Sequence, residues 1–227
     1  MRLTVEQIMT QMAATVNQEA TAPTSGSSEY SLWLQYINRG YREWAESNDW
    51  EALRKVYFPS VDGVSVASVA LPLDFRKLAG PVKHHRYNEP NRNELPFVVN
   101  EQTGLYGSSD EYVSMIGDTS SGYNLLFHPG TMASGASIEV QYFATPTSLA
   151  SPAEISEVPD SQFLVDRSIA YIFEARSDPR FQIVETKARE RLLTMVENSN
   201  LAKYNSYSNQ TPIITPERKM GFRIGRN

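Results

Sequence analysis

The chain has 227 residues, 41% of them hydrophobic and 21% charged, with a net charge of −5 and no cysteine. That is the make-up of a soluble globular protein long enough to bury a core. The missing thiols exclude disulfides, thiolate nucleophiles and cysteine-ligated metals, the acidic balance argues against a DNA-coating protein, and no apolar run of ~20 residues offers a membrane span.

The opening residues, 1–6, carry no apolar run behind them, so no secretory signal is expected. Thr4 and Gln7 have the spacing of a capping box, in which each side chain takes the other's free backbone donor. Val5, Ile8, Met9, Met12 and Val16 then recur at helical spacing. The Ser/Thr/Pro-rich stretch 17–28 reads as a loop, with Ser28 placed to cap a second helix. In that helix Tyr30, Trp33, Leu34, Ile37, Tyr41 and Trp44 form one broad apolar stripe. Gly40 sits inside it, where glycine costs about 1 kcal/mol against alanine. A close approach of another helix explains a glycine at that point.

From about residue 55 the helical period disappears. Short apolar or alternating runs at 56–58, 64–71, 111–116, 123–127 and 137–143 read as strands, with a hairpin signal at Asp62-Gly63. The stretch 73–78 reads as a short helical turn. After a proline-rich joint at 146–159, helical spacing returns. Asp160 is placed to cap a helix carrying Phe163, Leu164, Ala170, Ile172 and Phe173. Asp178 caps the next, with Pro179 at its first position, followed by Phe181, Val184, Ala188, Leu192 and Met195 at helical spacing. The expected class is α+β. Residues 1–55 and 150–203 form a helical bundle, 56–149 an inserted antiparallel β-domain, and 204–227 an extended C-terminal arm.

Catalytic signals are sparse. His84-His85 reads as part of a solvated loop, and His128, before Pro129-Gly130, as a turn residue. Ser114, Ser120 and Ser121 lie outside any Gly-x-Ser-x-Gly elbow. Asp110 and Glu111 are adjacent on a strand and point to opposite faces, so they do not form a facing acid–base pair. Neither a dinucleotide-binding nor a phosphate-binding glycine motif occurs. No catalytic residue, metal or cofactor is expected. With three histidines against twelve tyrosines, the balance favours binding or assembly.

The C-terminal stretch is the unusual one. Arg218, Lys219, Arg223 and Arg226 bring four positive charges to an acidic chain, interleaved with Met220, Phe222 and Ile224 and preceded by Ile213-Ile214. On an extended strand Met220, Phe222 and Ile224 share one face. Alternating apolar anchors and charges suit a segment that orders on a partner.

The order of these features resembles the head-to-tail adaptor, or connector, proteins of tailed bacteriophages, of the tail-tubular-protein-A kind. The residues that carry the resemblance begin with Tyr36-Ile37-Asn38-Arg39-Gly40-Tyr41-Arg42-Glu43-Trp44 and Trp50-Glu51-Ala52-Leu53-Arg54-Lys55. Leu71-Pro72-Leu73-Asp74-Phe75-Arg76-Lys77 and Ile138-Glu139-Val140-Gln141-Tyr142-Phe143 follow, with Leu164-Val165 and Ala170-Tyr171 later. The resemblance implies a structural protein of the virion neck, made in the host cytoplasm, rather than an enzyme. It implies a ring, commonly of twelve copies, beneath the portal protein. The arm would reach the portal and the β-domain would face a tail nozzle or other neck or tail protein. DNA would pass through the lumen without sequence-specific binding. Two other classes are open to test. One is a glycan- or receptor-binding virion protein using Tyr106, Tyr112 and Tyr123. The other is a hydrolase using Asp74 or Asp110.

Overall fold

In the computed structural model the described residues are 2–59, 65–66, 68–85, 93–98, 111–118, 120–128, 132–133 and 137–208. Helix α1 spans Val5–Val16, and its Thr4–Gln7 capping box is formed on both sides. Two more of its free amides, on Val5 and Glu6, donate to the carbonyls of Glu154 and Pro152. This ties the first helix to the segment leading into the third. Helix α2 spans Ser28–Ser47. Its cap is Ser27, whose hydroxyl accepts from the Tyr30 amide at 3.1 Å. Ser28, the residue expected to cap it, is instead the first helical residue. Gly26, at φ +89°, turns the chain just ahead of Ser27 and brings that serine into the capping position.

Helix α3 spans Gln162–Ala175. Asp160 serves its start from two residues away, its carboxylate accepting from the Gln162 amide and its carbonyl from Phe163. Helix α4 spans Phe181–Ser208. Asp178 acts there in the same way on Arg180 and Phe181. Helix α4 continues into the stretch assigned to the arm, because nothing between Tyr204 and Ser208 is a helix breaker.

The four helices share one apolar core. It includes Ile8, Met9 and Met12 of α1, Trp33, Ile37, Tyr41 and Trp44 of α2, and Phe163, Leu164 and Phe173 of α3. Ala188 and Met195 of α4 close it. A methyl group on Gly40 would stand 3.3 Å from Cγ of Arg167, so the glycine is where α2 and α3 come together.

A 3₁₀ turn at Glu51–Leu53 leads into β1 (Arg54–Tyr57). The further strands are β2 (Ser65–Val66), β3 (Ser68–Ala70), β4 (Phe75–Leu78), β5 (Val82–His85) and β6 (Asn93–Leu95). Next come β7 (Tyr112–Asp118), β8 (Gly122–His128), β9 (Met132–Ala133) and β10 (Ser137–Ala144). One sheet runs β1-β10-β5-β6, with β4 also on β10; β3-β8-β7 form a second, and β2 pairs with β9. These strand pairs are antiparallel. The second core gathers Phe75, Val82, Val113, Leu125, Ile138, Val140 and Tyr142.

Three local expectations are corrected here. Residues 73–78 are not a helical turn. A turn from Pro72 to Phe75 leads into β4, whose residues pair with Tyr142, Phe143 and Ala144. His84 is not in a solvated loop; it lies on β5 opposite Ile138 and is buried. His128 ends β8 rather than making a turn. In each case cross-strand pairing, invisible to local composition, decides the outcome.

The β segment and the residues that lead into and out of it are fastened to α2 at several points. Asn38 forms a two-way amide clamp with Leu149, donating to its carbonyl at 2.9 Å and accepting from its amide at 2.8 Å. Trp50 donates its indole N–H to the Trp44 carbonyl and stacks on that ring at 4.8 Å. Arg76 on β4 donates to the carbonyls of Ala45 and Asn48.

Candidate assembly surfaces

The most connected polar group lies where α2, α3 and α4 meet. Amphipathic spacing puts Glu43 and Tyr36 on the flank of α2, beside the Gly40 contact. Arg167 of α3 donates to Glu43 at 2.7 Å and also to Glu185 of α4. The Tyr171 hydroxyl donates to the same Glu43 oxygen at 2.6 Å. Burial alone would lower the Arg167 guanidinium, but the hydrogen bond to Glu43 leaves it raised. The Tyr171 phenol is raised by burial, then by its bond to Glu43. Arg39 lies over the Tyr171 ring at 4.1 Å, and Tyr36 stacks beside it at 5.9 Å. The group holds three helices in register and fixes Arg39 at the surface.

A groove of about 930 Å³ opens between α4 and the end of α2. Its floor includes Trp44, Trp50 and Met195, and its walls carry Glu51, Asp160, Asp166, Lys187, Glu190 and Arg191. Arg191 bonds Asp166 at 2.7 Å and Asp160 at 3.1 Å. Burial would lower the Arg191 guanidinium, but the bond to Asp166 leads the contacts that raise it.

On the β side, Leu73 is 99% exposed. Its turn is nonetheless rigidly held. The Asp74 carboxylate accepts from Lys55 at 2.7 Å and from the Tyr142 hydroxyl at 3.0 Å, while its carbonyl accepts from Thr145. Burial, then the Asp74 carboxylate, pushes the Tyr142 phenol up to about 12. Val56 and Phe58 are also half or more exposed. Asp74 is therefore an anchor for a turn, already committed to two donors, and not a free general base.

The other candidates resolve similarly. Ser114 and His128 stand 3.0 Å apart, with His128 stacked on Tyr112 at 4.4 Å. Ser114 is 1% exposed, which keeps its hydroxyl from any substrate. Tyr112 is buried and Tyr123 packs edge-on against Phe75, so neither offers the open ring a sugar platform needs. The aromatic stripe of α2 is core. Tyr106, Asp110 and the arm residues Ile213, Ile214, Arg218, Lys219, Met220, Phe222, Arg223, Ile224 and Arg226 lie outside the described residues. The Arg167 group was not legible as a site. Its members are far apart in sequence, and only the Gly40 signal pointed to the contact that assembles them.

The described residues thus build an apolar helical core and a second, β core. The sequence model of the SU10 adaptor protein family matches residues 3–212. The chain belongs to that family of phage head-to-tail adaptors. No curated protein matches it.

Proposed function

We propose that this protein forms a ring beneath the portal of a tailed phage, joining capsid to tail and surrounding the DNA channel. What carries this reading is the adaptor-family match over residues 3–212, and exposed apolar side chains on both bodies offer its partners places to dock. Ile183, Leu193 and Leu201 stand out from α4, Val56 and Ile116 from strands, and Phe58 and Leu73 from the connections beside them. Exposed apolar groups at two separate places suit a protein that joins two partners. In this reading residues 1–55 and 150–203 build the ring, 56–149 meet the tail, and 204–227 reach the portal. Phe222 and Ile224 enter apolar pockets there, while Arg218, Lys219, Arg223 and Arg226 face acidic residues. An acidic chain also suits a conduit that must not hold phosphates. Among the described residues no helix is long and apolar enough to cross a membrane.

The test is to truncate the chain after Gln210, and separately to make Phe222→Ala, then measure binding to purified portal. Both should bind more weakly, Phe222→Ala by about 2 kcal/mol, with the melting temperature of the free protein almost unchanged. Undiminished binding by the truncated chain would move the portal contact to the helices.

A further inference from the structure

We propose that copies of this chain meet through two dissimilar faces, the basic outer side of α2 on one copy entering the groove beside α4 on the next. The inference rests on the ring reading above and assigns that ring its lateral contact.

Both faces belong to the same chain and have opposite character. In the groove, acids outnumber bases four to two above an apolar floor. On the cleft around the outer side of α2, bases outnumber acids three to two. Ion pairs within the chain leave only some of these charges available. Arg191 is used within its own chain by Asp160 and Asp166, and Glu51 by Arg54, whereas Glu190 and Lys187 have no ion pair among the described residues. At the α2 cleft, Arg167 of α3 is held by Glu43 and Glu185, whereas Arg39, Arg42 and Glu46 are exposed and form no ion pair among the described residues. Arg39 is already positioned on the Tyr171 ring, so little of its freedom remains to be lost on docking.

The two faces cannot be one self-complementary patch. Trp44 lies in the groove floor, and Arg42 is two residues earlier on the same helix. Two residues at 3.6 per turn place them about 200° apart around the axis. A contact between opposite sides of one subunit is heterologous, and repeated with a closing rotation it makes a ring. The α4 wall is suited to receive a neighbour. Helix α4 has 28 residues against 14 for α3, and Glu197, Asn198, Asn200 and Leu201 beyond the core are exposed.

The chain has no native cysteine, which makes the test clean. Arg42→Cys and Glu190→Cys are prepared as single variants of the full chain, mixed, assembled on portal and oxidised. Wild-type protein is assembled in parallel and its mass on portal measured. We expect a covalent dimer containing one copy of each variant from the mixture, and a ladder of higher multiples from the double variant. Charge reversal should agree: Arg42→Glu lowers assembly about tenfold at low salt, and Glu190→Arg in the same chain restores much of it. If wild-type protein gathers several copies on portal but the mixture gives no crossed dimer, the assigned contact is wrong. Dimers from Arg42→Cys alone would also overturn it, since they require a two-fold contact. If wild-type protein does not gather in several copies, the ring reading itself fails and this contact goes with it.

Discussion

The helical body and the β body bury their residues in different ways. Helices α1 and α2 each turn one apolar stripe inward, where Ile8, Met12, Trp33, Ile37 and Trp44 are at most 1% exposed, and α3 is enclosed nearly all round, with Ser168, Ile169, Ala170, Tyr171, Ile172 and Phe173 buried in a row. The central strand β10 is closed on both faces. Ile138, Val140 and Tyr142 enter the second core, while Glu139 on the other face is also buried, with Lys83 at 3.7 Å and the Gln141 amide donating to it at 2.8 Å. A helix satisfies its own backbone, so its inner stripe can be wholly apolar. A short strand depends on neighbours, and this sheet keeps a polar network among them. A buried charge needs its partners to stay in place, whereas apolar packing tolerates small shifts. Local opening should therefore cost less in the β body than in the helical one.

The largest test of that contrast is Trp33→Ala, which empties the middle of the helical core. It should cost about 3–5 kcal/mol, read by calorimetry and near-ultraviolet circular dichroism. Hydrogen exchange would show whether β7 and β8 open with the helices; equal loss of protection in both would make the two bodies one cooperative unit. Next is Gly117→Ala, in β7 just before the turn into β8. Gly117 has φ +108°, and an added Cβ would collide with the Gly122 carbonyl oxygen. The expected cost is about 1–3 kcal/mol, and protection should fall first along β7. A melting temperature equal to wild type would show that this turn relaxes freely.

Glu43→Gln should have a smaller effect. It leaves Arg167 with Glu185 but removes the carboxylate shared with Tyr171. Since Glu43 is partly exposed, about 1 kcal/mol is expected, with a decline as salt rises. The smallest effect is at the turn before α4. The Asp178 carboxyl is held down to about 2, first by the Arg180 side chain and then by its amide. A depressed carboxyl contributes stability above its unfolded value of 3.8, and the contribution is lost as pH falls towards 2. Asp178→Asn should therefore flatten the acid limb of stability between about pH 4 and 2 and do little at neutral pH. An unchanged acid limb would show that Asp178 is not coupled to folding.

The helices were readable because a period of 3.6 repeats within a single stretch of chain. The capping box at Thr4 and Gln7, the α2 stripe and the close approach at Gly40 all depend on neighbours within a few turns or on one missing side chain. The pairing of β4 with β10, and the burial of His84, depend on residues some 50 to 70 positions away, and no local pattern contains that information. The assembly surfaces were less legible still. The groove lies between Trp50 and residues of α3 and α4, and Leu73 sits in a sequence that also suits a buried turn. The exposed leucine becomes noticeable only once the bonds of Asp74 fix the turn around it.

The fastening of the β segment to α2 has a mechanical consequence. A body held at one point can swivel, and a body held at two can still swing about the line between them. Asn38 with Leu149 and Trp50 with Trp44 tie down the residues that leave and enter the β segment, and Arg76 with Ala45 and Asn48 ties the segment itself to the end of the helix. The first two are six residues apart on α2, about 9 Å along its axis. A pull or twist on the sheets is therefore delivered to α2 as a couple rather than absorbed by loose connections. The two bodies should tilt together, with α2 as the beam that transmits the torque.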